Sequence, residues 1–345
     1  MKLFVTGGGG FLGLALVRQL RARGHDVVSF SRGRYPVLEA LGARHCQGDL
    51  SDYDVLKQAM KGCEAVFHTA AKTGIWGKYN DFYSANVIAT ENVLKACHEL
   101  DIRYLVFTSS PSVVYHGKDC DGGNETLPYP ARYDAHYPQT KAMAEKLVMK
   151  ANDDSLKTVS LRPHLIWGPG DPHFIPRLFR KARAGKLRIV GHAPNLVDCI
   201  YIDNAVNAHV QAFNQLLQDP RPVEGKTYFI SQGQPLPIAE LTNLLISTGD
   251  IAPIERHISP WTALSAGWFL ESVYRVFGIT EEPPLTVFLA KQLSTSHWYD
   301  ISAAKRDFGY NIEVSLVEGI ERLRTWVKEA NEHGLHRATM ESFTG

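Results

Sequence analysis

The chain has 345 residues, 44% of them hydrophobic and 21% charged, with a formal net charge of +1. These are ordinary proportions for a folded globular protein, and the length suits one large α/β domain with a smaller companion. The near-neutral balance gives no strong global field to draw in nucleic acid, no run of 18 apolar residues reads as a spanning helix, and the five cysteines, Cys46, Cys63, Cys97, Cys120 and Cys199, show neither C-x-x-C nor zinc spacing. A scattered, odd cysteine set fits a reducing compartment, and Met1-Lys2 running straight into a strand leaves no room for a signal peptide. The expectation is a cytoplasmic protein that binds neither metal nor nucleic acid.

Taken in chain order, Leu3–Thr6 reads as a strand and Phe11–Arg23 as a helix stopped by Gly24. Asp26–Ser31 reads as a second strand, and Ala65–Thr69, Tyr104–Ser109 and Thr158–Arg162 as further short buried strands. Helical patterns around Val55–Met60 and Asn86–Leu100 lie between them. Such βαβα alternation implies an α/β fold, a doubly wound parallel sheet of Rossmann type with helices on both faces. The alternation fades near Trp167. The predicted division is a dinucleotide-binding domain over 1–166 and a mainly substrate-binding α/β domain over 167–345, with segments near 197–212 returning to the first.

The first strand ends in Thr6-Gly7-Gly8-Gly9-Gly10-Phe11-Leu12-Gly13, which holds Gly7-x-x-Gly10-x-x-Gly13. Glycines allow a tight turn and close approach of a pyrophosphate, and the N-terminus of the helix then points its free N–H groups at the phosphates. Gly7, Gly10, Phe11, Leu12 and Gly13 are the predicted phosphate cradle. The second strand ends at Phe30-Ser31-Arg32, where an NAD-selecting chain carries an acid for the ribose hydroxyls. Arg32 and Arg34 stand there instead. A guanidinium pairs well with a 2′-phosphate, so NADP(H) is the predicted cofactor and Arg32 its selector. Asp49 and Leu50 form a loop that reaches the adenine, although Asp49 equally suits a helix cap before Val55. Ala70 and Ala71 leave room beside the ribose and nicotinamide.

Tyr137-Pro138-Gln139-Thr140-Lys141 sets a phenol and an amine at i, i+4, on one helix face. A free phenol titrates near about 10, and a neighbouring ammonium lowers that value by favouring the phenolate. Tyr137 is therefore the predicted proton donor to a carbonyl oxygen, with Lys141 as its helper. A hydroxyl from Thr108-Ser109-Ser110-Pro111-Ser112 would hold the same oxygen. Ser110 is the choice, and Ser109, Ser112 and Thr108 remain rivals on spacing alone. Downstream, Leu161-Arg162-Pro163-His164-Leu165 runs into a Pro/Gly turn. Pro163 and Leu165 are placed along the nicotinamide. His164 reads as a wall residue, because Tyr137 and Lys141 already supply proton transfer.

Together these residues resemble the extended short-chain dehydrogenase/reductase superfamily. Further marks are Gly48-Asp49-Leu50, His68-x-Ala70-Ala71, Asn86-Val87 and Tyr299-Asp300-Ile301-Ser302. Within it the chain looks most like the 3β-hydroxysteroid dehydrogenase branch, departing at Ala89, where that branch commonly has Gly. The resemblance carries a Ser, Tyr, Lys triad onto Ser110, Tyr137 and Lys141. Inside the branch, Ala70-Ala71-Lys72-x-Gly74-x-Trp76-Gly77, Leu165-Ile166-Trp167-Gly168-Pro169-Gly170-Asp171 and His297-Trp298-Tyr299-Asp300 are similar to bacterial 2-alkyl-3-oxoalkanoate reductases of long-chain olefin biosynthesis. That similarity implies NADPH reduction of a 2-alkyl-3-oxoalkanoic acid, between a condensing and a β-lactone-forming enzyme, and a homodimer.

The apolar stretch from Trp261 to Ala290 suits a hydrophobic small molecule if it caps the site, an ordinary core helix, or a contact with a membrane surface or pathway enzyme. Lys72 is a candidate for holding an acid group, or a plain surface lysine. The rival functions are a 3β-hydroxysteroid or sterol dehydrogenase, a nucleotide-sugar epimerase or dehydratase, and a non-catalytic NADP(H) sensor.

Overall fold

A computed structural model describes residues 1–192 and 194–332. The last thirteen residues of the predicted second domain, 333–345, lie outside the described residues. Seven parallel strands make the main sheet: β1 (Lys2–Thr6), β2 (Asp26–Ser31), β3 (Arg44–Gln47), β4 (Ala65–His68), β5 (Tyr104–Thr108), β6 (Lys157–Pro163) and β7 (Lys226–Ile230). Their order is β7-β6-β5-β4-β1-β2-β3. Leu3, Phe4, Val5, Val66, Phe67, Leu105, Val106 and Phe107 are all fully buried, the near-continuous apolar pattern of strands covered on both faces.

The order reverses between β1 and β4. There the crossovers leave in opposite directions, opening a crevice at the carboxyl ends of the strands, the usual ligand position in such sheets. Helix α1 (Phe11–Ala22) follows β1 and buries Leu16, Val17 and Leu20 against the sheet. Helix α2 (Ala89–Glu99) precedes β5, and a π-helical turn, Ser84–Ile88, leads into it. Such turns re-aim side chains. Here Asn86 is turned inward, accepting from the Lys72 backbone N–H at 2.7 Å and donating to the Thr140 hydroxyl at 2.9 Å. Helix α3 (His136–Lys150) precedes β6, with Pro138 in its first turn, where the missing N–H costs nothing.

The alternation does not end at Trp167. Helix α4 (Ile202–Gln218), overlapping the 197–212 segment, packs on α1, β5 and β6, and β7 adds an edge strand. β7 was not legible because two helices and several two-residue strands separate it from β6, with no βαβ unit leading directly into it. Above the sheet ends sits a second, four-stranded sheet whose order is Leu236–Pro237, Leu196–Val197, His297–Tyr299, Cys120–Gly123. Helices α5 (Pro260–Val276) and α6 (Val287–Ser294) pair beside it, and Gly267 permits their contact, since a Cβ there would lie 2.8 Å from the Thr286 backbone. Among the described residues no helix is long and apolar enough to cross a membrane.

Candidate active site

The carboxyl ends of β1, β2, β4, β5 and β6 open into one cavity of about 1310 Å³. It is lined by Gly7, Gly10, Phe11, Leu12, Gly13, Arg32, Asp49, Leu50, Ala70, Ala71, Ser110, Tyr137, Lys141, Pro163 and Leu165, so every predicted site residue faces the same space. Arg34 is exposed and outside it.

At the β1 end the backbone is shaped for close approach. Gly7 sits at φ +69°, where a side chain is strained, and a Cβ on Gly13 would lie 2.2 Å from the Gly7 carbonyl oxygen. The Thr6 hydroxyl accepts from the Ala70 N–H at 3.1 Å and meets His68 Nδ1 at 2.7 Å, while His68 Nε2 meets the Thr90 hydroxyl at 3.0 Å. Burial pushes the His68 imidazole down to about 3, so it is a neutral brace between the two loops. The N-terminus of α1 has no side-chain cap and no acid in its first turn. Uncapped N–H groups and the positive dipole end thus face the cavity, a fit for a dinucleotide pyrophosphate. Gly13→Ala is expected to cost about 1–3 kcal/mol by overpacking and to weaken dinucleotide binding by about tenfold or more. Urea unfolding and fluorescence titration measure both; wild-type affinity would contradict the cradle.

Asp49 accepts from the N–H and the hydroxyl of Ser51, each at 2.8 Å, and the first of these bonds is the main reason its carboxyl titrates low. The cap of the Tyr53–Met60 helix is Asp52, which accepts from the Val55 N–H at 3.3 Å, so the capping alternative for Asp49 is corrected. Asp49 remains free to face the cavity, with the Arg32 charge close enough to act on it.

Helix α3 places Tyr137, Lys141 and Glu145 on successive turns of one face. Lys141 is 2% exposed, donates to the Thr108 carbonyl at 2.6 Å and lies over the Phe107 ring. Burial lowers its pKa to about 7, with the Glu145 charge opposing. The phenol of Tyr137 is shifted up rather than down: burial penalises the phenolate, and the Ser110 hydroxyl only partly offsets it. The sequence expectation of an ammonium-lowered phenol therefore has the wrong sign for the side chains as they stand, because Lys141 is directed to a backbone carbonyl. Of the hydroxyl rivals, Thr108 is bonded to His209 Nε2 at 2.8 Å behind the strand, and the buried Ser109 hydroxyl acts on the Glu145 carboxylate. Ser110 bonds the Ser112 hydroxyl at 2.8 Å and is the neighbour acting on Tyr137.

Glu145 was not singled out from the sequence, although its spacing from Lys141 was visible. It is fully buried and accepts from Arg162 Nε at 2.9 Å and Nη2 at 2.6 Å, from the Tyr129 hydroxyl at 2.6 Å and from the Ser160 hydroxyl at 3.1 Å. This ties α3 to β6 directly behind the amine.

The far wall of the cavity is apolar, with Leu178, Leu241, Leu245, Ile254, Phe288 and Leu293. Leu178 comes from the Phe174–Arg183 helix, Leu241 and Leu245 from the Ile238–Ser247 helix, and α6 contributes Phe288 and Leu293. Helix α5 lies behind α6 and turns Trp261, Trp268 and Phe269 to solvent, at 81%, 67% and 61% exposure, so of the three readings of this stretch the cap does not fit α5. Lys72 lines the same cavity, 3.9 Å from the exposed Asp81 carboxylate and over the Phe82 ring.

Residues 4–257 match the profile of the 3-beta hydroxysteroid dehydrogenase/isomerase family. The chain belongs to that family. Two relatives described as 2-alkyl-3-oxoalkanoate reductases are each 48% identical: one from Shewanella oneidensis, covering 93% of this chain and 85% of its own, and one from Stenotrophomonas maltophilia, covering 94% and 98%. A sterol-4-alpha-carboxylate 3-dehydrogenase (decarboxylating) from Mus musculus is 33% identical over 93% of this chain and 89% of its own. A solved UDP-glucose 4-epimerase from Thermotoga maritima, 19% identical, superposes with a TM-score of 0.75 over 96% of this chain and 100% of its own, a likeness of fold alone. As a member of the 3-beta hydroxysteroid dehydrogenase/isomerase family, the chain is an oxidoreductase.

Proposed function

We propose that this oxidoreductase uses NADPH to reduce the C3 ketone of a long-chain 2-alkyl-3-oxoalkanoic acid to the 3-hydroxy acid, in the route to long-chain olefins. The observation that carries the reading is the single cavity, which joins the glycine cradle, the Ser110/Tyr137/Lys141 group and an apolar wall. The names of the two 48% identical relatives support the substrate class.

In this reading Gly7, Gly10 and Gly13 with the backbone of Phe11 and Leu12 hold the pyrophosphate. Asp49 and Leu50 face the adenine, Arg32 the 2′-phosphate, and Ala70, Ala71, Pro163 and Leu165 the nicotinamide half. When bound, the nicotinamide supplies the hydride. The Ser110 and Tyr137 hydroxyls hold the ketone oxygen. Burial keeps the phenol protonated through neutral pH, the form a proton donor needs. Lys141 then stabilises the phenolate left behind, at an amine poised near neutrality. Leucines and Phe288 take the alkyl chains, at roughly 0.8 kcal/mol per buried methylene.

Arg32 carries the cofactor preference. Arg32→Ala is expected to lower kcat/KM for NADPH by about tenfold or more, the worth of a charge-assisted bond, with NADH nearly unaffected. Equal losses with both cofactors would remove that role.

Turnover of NADPH with 2-alkyl-3-oxo acids of increasing alkyl length tests the substrate. The rate should rise with chain length. Faster oxidation of a 3β-hydroxysteroid with NADP+ would favour the alternative, a sterol dehydrogenase, which the 33% identical relative supports. The exposed aromatic face of α5 supports a contact through 261–290 with a membrane surface or pathway enzyme, and the family resemblance supports a homodimer.

A further inference from the structure

His164 and His297 come from different layers. His164 follows Pro163 at the end of β6, and His297 opens the Tyr299 strand of the four-stranded sheet. Their rings are 5.2 Å apart and both line the cavity that holds Tyr137 and Ser110. The turn beneath them is held in place at some cost. Leu165 sits at φ +46°, a region rarely occupied by branched residues, and is pinned by Ile200 N–H donating to the Leu165 carbonyl and His164 N–H donating to the Ile230 carbonyl.

The polar atoms of the pair are underused. His297 spends Nδ1 on the Thr295 carbonyl at 3.0 Å, which leaves Nε2 without a partner among the described residues. His164 Nδ1 is buried with no hydrogen bond among the described residues. A buried imidazole left unsatisfied is costly unless a ligand completes it. The neighbours are the Tyr299 ring, 5.5 Å from His164, and the Tyr115 ring, 5.8 Å from His297; among the described residues the charge acting on His297 is Asp119.

Most of the other cations lining the cavity have partners of their own. Lys141 bonds Thr108, Lys72 faces Asp81, Arg177 pairs with Glu282, Lys181 bonds the Pro284 carbonyl, and Arg188 bonds the Gly185 and Leu187 carbonyls. Arg32 lies at the β2 end. We propose that His164 and His297 form a carboxylate subsite which grips the acid group of the substrate through their free ring nitrogens.

This rests on the reductase reading and names what that site selects. Burial lowers both imidazoles, and the His297 charge adds to it at His164, which falls well below the ordinary imidazole range. An incoming carboxylate reverses that balance, so binding draws a proton from solvent onto the pair. The grip also holds the substrate in the cavity that Tyr137 lines.

Calorimetry on the full chain with NADP+ bound, using a 2-alkyl-3-hydroxyalkanoate and its methyl ester, tests the subsite. The acid should bind about tenfold or more tighter than the ester near pH 6.5, weaken as pH rises, and take up close to one proton, read from buffers of different ionisation enthalpy. His164→Asn and His297→Asn should each bring the acid to the ester's level, and ester affinity within about threefold of wild type shows that the fold survives. No acid binding, equal affinity for acid and ester in the wild type, or a preference kept in both variants overturns the subsite. Reduction of acid and ester with equal kcat/KM would sink the subsite and leave the reductase standing. Acid preference without any NADPH-linked reduction would do the reverse.

Discussion

Tyr137→Phe is expected to lower kcat for ketone reduction by about 10²–10⁴-fold, the range for removing a general acid, while the NADPH dissociation constant stays near wild type. The substitution deletes one oxygen at a partly buried position on α3 and disturbs neither the glycine cradle nor the Glu145–Arg162 pair behind it. Steady-state kinetics with fluorescence titration of NADPH separates the two effects. Lost activity with lost NADPH affinity would mean that the phenol serves binding rather than proton transfer. Retained activity would move the proton donor elsewhere in the cavity.

The second large effect lies behind the catalytic face. Glu145→Gln leaves the Arg162 guanidinium, 2% exposed, without its counter-charge. Breaking a buried pair from one side costs about 3–5 kcal/mol, which urea denaturation at neutral pH reads directly. The pH dependence has a definite sign. Burial works to raise the Glu145 carboxyl, but the paired bonds and charge of Arg162 prevail and hold it below its ordinary value. A carboxylate depressed in the folded state stabilises above its unfolded pKa and loses that contribution as pH falls through the folded one. Wild type should therefore lose stability in acid more steeply than Glu145→Gln. The same variant removes the charge that supports the Lys141 ammonium. The limb of the pH–rate profile that sits near pH 7 should move to lower pH, a response that structural damage alone would not give. An unmoved limb would confine Glu145 to holding α3 on β6.

The parts of the site that were legible in the sequence are those set by local spacing. Gly7, Gly10 and Gly13 lie within one strand–turn–helix unit, and Tyr137 and Lys141 on successive turns of one helix face, so local spacing places them. The crevice position follows from the reversal of strand order between β1 and β4, itself implied by the βαβ alternation. Electrostatic sign was not legible in the same way. A Tyr–Lys spacing suggests a lowered phenol, yet the shift depends on where the amine hydrogen bonds, and the Thr108 carbonyl takes it. Long-range partners were invisible for the same reason: Glu145 meets Arg162 across a helix–strand packing, and His164 meets His297 across two sheets. Apolarity marked the 261–290 stretch, but which of its residues faced the cavity depended on tertiary packing, where Phe288 of α6 lines it and Trp261, Trp268 and Phe269 of α5 turn to solvent.

Isotope transfer tests the central claim most directly. A 2-alkyl-3-oxo acid would be incubated with the enzyme and NADPH deuterated at the transferring position of C4, and the product read by mass spectrometry. The account predicts one deuterium at C3 of a 3-hydroxy acid, formed in step with NADP+. Unlabelled product, or no net oxidation of NADPH, would contradict it.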